Sequence, residues 1–291
     1  LLRRLQQAVI PTAHRYDRLG SMIISRARPS LLRSIVGGCA NHARLIGALM
    51  MREIMTRFGR EGLGFLWLVG EPLLFCLGVV LMWTIIKPPY EHGIRVGPFV
   101  MTGYMCLLLL RHQIAYCLHA VGANTGLLYH RQVKPIHIYV SRGLLEFAGS
   151  TLAFAIVYAI LLAIGQVSLP HDLGLLYGGW CTLGLLSFGM GLTISALAMR
   201  YETFERLTQL LTYLLIPLSG AFFMASAVPS QYRDKFLLIP LPHTVEMVRA
   251  GVFGEFVETH YNPVYPLAWA GGLIFLGLLL LSVVRNHIDV E

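Results

Sequence analysis

The chain has 291 residues, of which 56% are hydrophobic and only 13% charged, with a formal net charge of +8. A soluble domain averages about 25% charged residues, so this apolar excess excludes a single water-soluble core. Eleven arginines lie between Arg3 and Arg60, ahead of the first long apolar run, which reads as a segment beside anionic lipid and not as a nucleic-acid reader.

Leu1–Ala40 is basic with scattered apolar residues, and no function is assigned to it. Pro11, Pro29 and six arginines cut its first thirty residues, so no secretory signal core is expected there. Asn41–Gly62 predicts an amphipathic helix. Ile46, Met50, Ile54 and Phe58 recur every four residues, and Arg44, Arg52, Arg57 and Arg60 take the other side. Glu53 and Arg57 form an i,i+4 pair. Such a helix lies along a membrane surface, either inert or in touch with a cytosolic partner.

Leu63–Ile86 is almost wholly apolar and carries one charge, Glu71, followed by Pro72. A span needs roughly 20 helical residues, so this is the first of six expected spans. The others are Phe99–Ala120, interrupted by Arg111 and His112; Leu144–Ile164; the glycine-rich Leu173–Met199; Leu207–Ala225, broken by Pro217 and Gly220; and Pro266–Val284. Lys and Arg in the loops place both termini in the cytoplasm. Ser226–Pro263 is too apolar for a solvated loop and too charged to span, which predicts a re-entrant or surface helix. In it Val245, Val248, Val252 and Phe253 share a side, with Glu246 and Arg249 off it. The expected fold is therefore all-α. It is a polytopic membrane protein with six transmembrane helices, an N-terminal amphipathic interfacial helix and a re-entrant or short-helix segment before the last span. Three regions follow: a basic extension (1–40), the interfacial helix (41–62) and a transmembrane domain (63–291).

Catalytic machinery is not evident. None of the three lysines, Lys87, Lys134 and Lys235, follows Gly, so there is no phosphate-binding loop. No HExxH, GxSxG or close carboxylate cluster occurs. Five cysteines without a CxxC and scattered histidines predict no metal site. Charges inside apolar runs are costly in lipid, so Glu71 and Arg111 either line a polar path or mark a helix break and a cap. Aromatics at the spans, among them Trp67, Tyr104, Phe222 and Phe223, are either interfacial anchors or a lining on which sugar rings stack. Gly122–Arg142, with turns at Asn124–Thr125 and Lys134–Pro135, is either a connector or a stiff handle for a motor.

Four stretches carry a family likeness: RE-IMTRFGREGLGFLWLVGEPLL from Arg52, VGPFVMTGYMCLLLLR, IPLSGAFFMASAVP and LIPLPHTVEMVRAGVFG. Together they resemble the membrane subunit of an ABC-2 type exporter, most closely the capsular polysaccharide export permease. The likeness covers roughly Asn41–Glu291; Leu241 stands where the family commonly has Asn. The resemblance implies a non-catalytic permease of the bacterial inner membrane, paired as a homodimer and driven by two copies of a separate ATPase. ATP and Mg would bind that partner, leaving this chain without a cofactor. The cargo would be an acidic, lipid-linked polysaccharide, handed to a periplasmic-spanning export protein. The path would be lined by Trp67, Glu71, Tyr104, Arg111, Phe222 and Phe223. Arg52, Glu53, Arg57, Arg131 and Lys134 would couple to the ATPase, and Arg233, Lys235 and Arg249 would meet the polymer outside. Other readings are an ABC-2 exporter of O-antigen, teichoic acid or a drug, and a membrane-embedded glycan-processing enzyme.

Overall fold

A computed structural model describes residues 31–58, 64–88, 90–91, 93–128, 132–254 and 258–288. Two compact units divide at Arg44 and Leu45. In the first, the described residues are the start of a helix, α1 (Leu31–Phe58). This helix begins ten residues earlier than the apolar spacing suggests, because Leu31–Ala40 contains no proline to stop it. The expected continuation to Gly62, including Arg60, lies outside the described residues.

The second unit is a helical bundle. Its helices are α2 (Gly64–Ile86), α3 (Val96–Leu118), the short α4 (Thr125–Leu128), α5 (Pro135–Ala163), α6 (Leu173–Arg200), α7 (Glu202–Leu218), α8 (Ser230–Phe236), α9 (Pro240–Phe253) and α10 (Val264–Ile288). A two-residue antiparallel hairpin, β1 (Tyr90–Glu91) with β2 (Ile94–Arg95), joins α2 to α3.

Among the described residues, four helices, α2, α5, α6 and α10, are long and apolar enough to cross a membrane. The number rises to six if two bent pairs each count as one span. In one pair α3 turns by 58° into residues 122–128; in the other α8 and α9 meet at 104°. That sharp second bend falls in the re-entrant or short-helix segment expected before the last span. The run expected as the fifth span becomes α7 but stops at Leu218. Pro217 sits at its end, and Gly220 at φ +70° turns the chain away. At 1.5 Å per residue α7 reaches about 25 Å, less than the ~30 Å hydrocarbon core.

Helix α6 is the hub of the bundle, packed by α3, α9 and α10. Its glycines allow this. A Cβ on Gly179 would stand 2.8 Å from Met247 Cβ of α9. One on Gly189 would stand 3.0 Å from Leu273 Cβ of α10, and one on Gly191 3.0 Å from Cys117 Cβ of α3. Small residues at such crossings let helix backbones approach in lipid, where burial of apolar area gives no drive.

Two expectations are corrected by burial. Helix α5 begins at Pro135, not Leu144, so Arg142 lies in a helix and is buried. Helix α9 is not amphipathic in place: every residue from Leu241 to Val252 is buried, Glu246 and Arg249 included. Neighbours on all sides supply polar partners, and the helix sits inside the bundle instead of on its surface.

Candidate functional site

Helix α3 is buried along most of its length, yet Tyr104, Arg111 and Ala115 stay partly or fully open. Steps of seven and four residues keep these three on one helical face. Along that face the Arg111 guanidinium stands 5.7 Å above the ring of Tyr213 in α7. Towards the hairpin end, Phe222 lies 6.2 Å from Tyr104 and stacks on Trp83 of α2, with ring centroids 5.5 Å apart and planes within 10°. The ammonium of Lys87 covers Trp83 at 4.5 Å. Glu71 of α2 is half-buried and Trp67 is exposed.

The expected lining therefore comes together in part. Tyr104 and Phe222 converge, and Arg111 shares their strip. Phe223 points elsewhere, packing on Phe236 of α8 at 5.3 Å. Such a strip offers aromatic faces, one cation and hydroxyls.

At the opposite end of α3, α1 is tied into the bundle by charge. Arg57 Nε meets Glu53 Oε1 at 2.7 Å, and Arg57 Nη1 meets Glu146 Oε1 of α5 at 2.6 Å. Arg142 Nη2 reaches the same Glu53 oxygen at 2.9 Å, while its Nη1 donates to the Tyr116 carbonyl at 3.0 Å. The Arg57 guanidinium lies 3.9 Å over the Tyr116 ring. His112 Nδ1 stands 3.9 Å from Glu146 Oε2. Nearby, Arg52 Nη1 donates to Asn124 Oδ1 at 2.7 Å, and Asn124 donates on to the Ala120 carbonyl. Two cations and two carboxylates balance, which is what makes their burial tolerable. Burial pulls the Arg57 pKa down, but Glu146 and then Glu53 more than offset it, so the group stays above its ordinary value.

Glu53 and Arg57 thus point into the bundle, while Arg52 stays exposed and reaches only Asn124. Lys134 is exposed at the start of α5, where His137 Nδ1 accepts its backbone N–H at 3.1 Å. Arg131 lies outside the described residues. Of the three cations expected to face a polymer, Arg249 is wholly buried. Arg233 is turned back onto the Ala225, Ser226 and Val228 carbonyls and His260. Lys235 is exposed beside Tyr232. Among the described residues, no three His, Cys, Asp or Glu side chains gather as a metal site.

The family model of the ABC-2 type transporter matches residues 44–253. The chain belongs to this family. It is 38% identical over 248 residues to the capsule polysaccharide export inner-membrane protein CtrC of Neisseria meningitidis serogroup B, covering 85% of this chain and 94% of that one. It is 36% identical over 252 residues to the capsule polysaccharide export inner-membrane protein BexB of Haemophilus influenzae, covering 87% and 95%. With the polysialic acid transport protein KpsM of Escherichia coli it shares 31% identity over 242 residues, covering 81% and 91%.

The ABC-2 match runs from just before the charge cluster to the end of α9. It contains both the α3 strip and the cluster. Sequence reasoning missed Glu146 and the role of Arg142, although a carboxylate inside the apolar run of α5 was the available signal. Trp83 and Tyr213 were visible only as span aromatics.

Proposed function

We propose that this chain is the permease subunit of an ATP-driven exporter that moves lipid-linked capsular polysaccharide outward across the bacterial inner membrane. Two copies form the path, and two copies of a separate ATPase drive it from the cytoplasm, where both termini lie. A periplasmic-spanning protein receives the polymer. One observation carries this reading. In an ABC-2 chain, a strip of aromatic and charged side chains, Tyr104, Arg111, Tyr213 and Phe222, is left open along an otherwise buried helix. Sugar rings stack their C–H faces on such rings, and Arg111 attracts acidic substituents.

The charge cluster supplies the mechanical link. A push delivered near Lys134 and Arg131, or along α1, reaches α5 through Arg57–Glu146 and reaches α3 through Arg142 and Tyr116. A rigid tie of this kind moves the two helices together, not by bending one of them. The exposed Lys235 and Tyr232 are the outer groups best placed to meet the emerging polymer.

Deleting the gene in a capsulated host tests the reading. Polymer should accumulate inside the cell and vanish from its surface, and the chain supplied in trans should restore it. Unchanged surface capsule in the deletion strain would overturn the assignment.

A further inference from the structure

Helix α9 carries three polar side chains at three-residue intervals, His243, Glu246 and Arg249, and each is buried. Residues three apart are neighbours on a helix, so the three form one sloping row. Each fastens a different piece of irregular chain. His243 Nε2 donates to the Leu237 carbonyl at 2.8 Å, while its Nδ1 accepts the Asn262 N–H at 3.0 Å. A carbonyl can only accept and an N–H can only donate, so this pairing fixes a neutral ring with its proton on Nε2. Glu246 takes the Ala225 N–H on Oε1 at 3.3 Å and the His260 N–H on Oε2 at 3.2 Å.

Arg249 binds the turn that follows α7. Its Nη1 donates to the Gly220 and Phe223 carbonyls, both at 2.9 Å, and its Nη2 donates to the Ala221 carbonyl at 2.6 Å. The carbonyl just before Phe222 and the one just after it are both held by one guanidinium. That guanidinium is itself fixed, 4.3 Å over the Phe99 ring and 3.6 Å from Glu246. Gly103 leaves the room: a Cβ there would run into the Ala221 carbonyl and the Arg249 guanidinium. The planar fork suits this task, since it binds several acceptors in fixed directions where an ammonium acts as a point charge.

We propose that Arg249 and Glu246, which hold the chain at residues 220–225, are positioning residues that aim Phe222 at Trp83 and Tyr104. They set what the cargo meets at that end of the strip without touching it. The idea rests on the reading of the strip as the polymer path. Phe222 sits in a helix break, where the backbone has no ladder to orient it. These two side chains on α9 replace that ladder.

The test reads the aim of Phe222 apart from export. In a chain with Trp67, Trp180 and Trp269 changed to Phe, Trp83 is the remaining tryptophan and reports the Phe222 stack. Acrylamide quenching of Trp83 in lipid nanodiscs should rise in Phe222→Ala, rise to a similar level in Arg249→Lys, and rise no further in the double variant. Glu246→Gln, a milder change that keeps one carbonyl oxygen, should give a smaller rise. In the otherwise native chain, Arg249→Lys should lower export about three- to tenfold at equal protein level, the range expected for losing one aromatic contact. Wild-type quenching in both Arg249→Lys and Glu246→Gln would overturn the positioning role. Raised quenching with full export in Arg249→Lys and Phe222→Ala would uphold the positioning and instead overturn the strip as path.

Discussion

Arg57 and Glu146 stand 89 residues apart in sequence and 2.6 Å apart in space. This contact joins the helix that precedes the first span to α5, and Arg142 and Glu53 brace it from the side. Under the proposed function, this tie from the leading helix to a membrane helix is where the force of the ATPase would enter.

Removing one member of this pair should be worse than removing both. Glu146→Ala leaves Arg57 and Arg142 sharing the single carboxylate of Glu53, and one excess charge in a largely buried cluster costs up to about 3–5 kcal/mol. Replacing Arg57 with Met and Glu146 with Leu together should recover most of that loss. Thermal unfolding of the detergent-solubilised single and double variants checks it; equal losses in all three would contradict the pairing.

Stability and transport should separate in that double variant. It is expected to fold, yet to transport poorly at saturating ATP, because an apolar contact holds α1 less firmly in direction than the charge-assisted hydrogen bond from Arg57 to Glu146. Export per ATP hydrolysed, measured in reconstituted vesicles, reads this directly.

Charge reversal at Lys134 should weaken association with the ATPase while leaving the fold intact, since the side chain is exposed at the start of α5. Co-purification of the two subunits checks it. Retention equal to wild type would remove Lys134 from the docking surface.

Gly103→Ala should be badly tolerated and Gly271→Ala should not. At Gly103 the new methyl meets the Ala221 carbonyl, whereas at Gly271 nothing lies within 4 Å. Overpacking of this kind costs about 1–3 kcal/mol or more. Comparing the amount of folded protein recovered from membranes for the two variants distinguishes them.

Much of the architecture was legible because lipid makes a loud signal. The runs that became α2, α5, α6 and α10 are continuous and apolar, and their glycines announced close packing at α6. Pro217 and Gly220 announced the break after α7. Long-range pairing was not legible. Glu53 and Arg57 show themselves as a helical pair, but nothing local says that Glu146 and Arg142 complete the set. Arg249 read as a loop cation facing outward, because its neighbours Val248 and Ala250 gave no hint that the turn at residues 220–223 would come to it with its carbonyls. Of the expected lining, Tyr104 and Phe222 met. Phe223, one residue on, went to Phe236, a choice made by the turn geometry and not by residue type.

The most direct test of the whole account is transport into inverted membrane vesicles holding this chain with or without the proposed ATPase. The account predicts ATP-dependent uptake of lipid-linked polysaccharide only when both proteins are present, and no ATP hydrolysis by this chain alone. Uptake without the ATPase, or ATP turnover by the isolated chain, would contradict it.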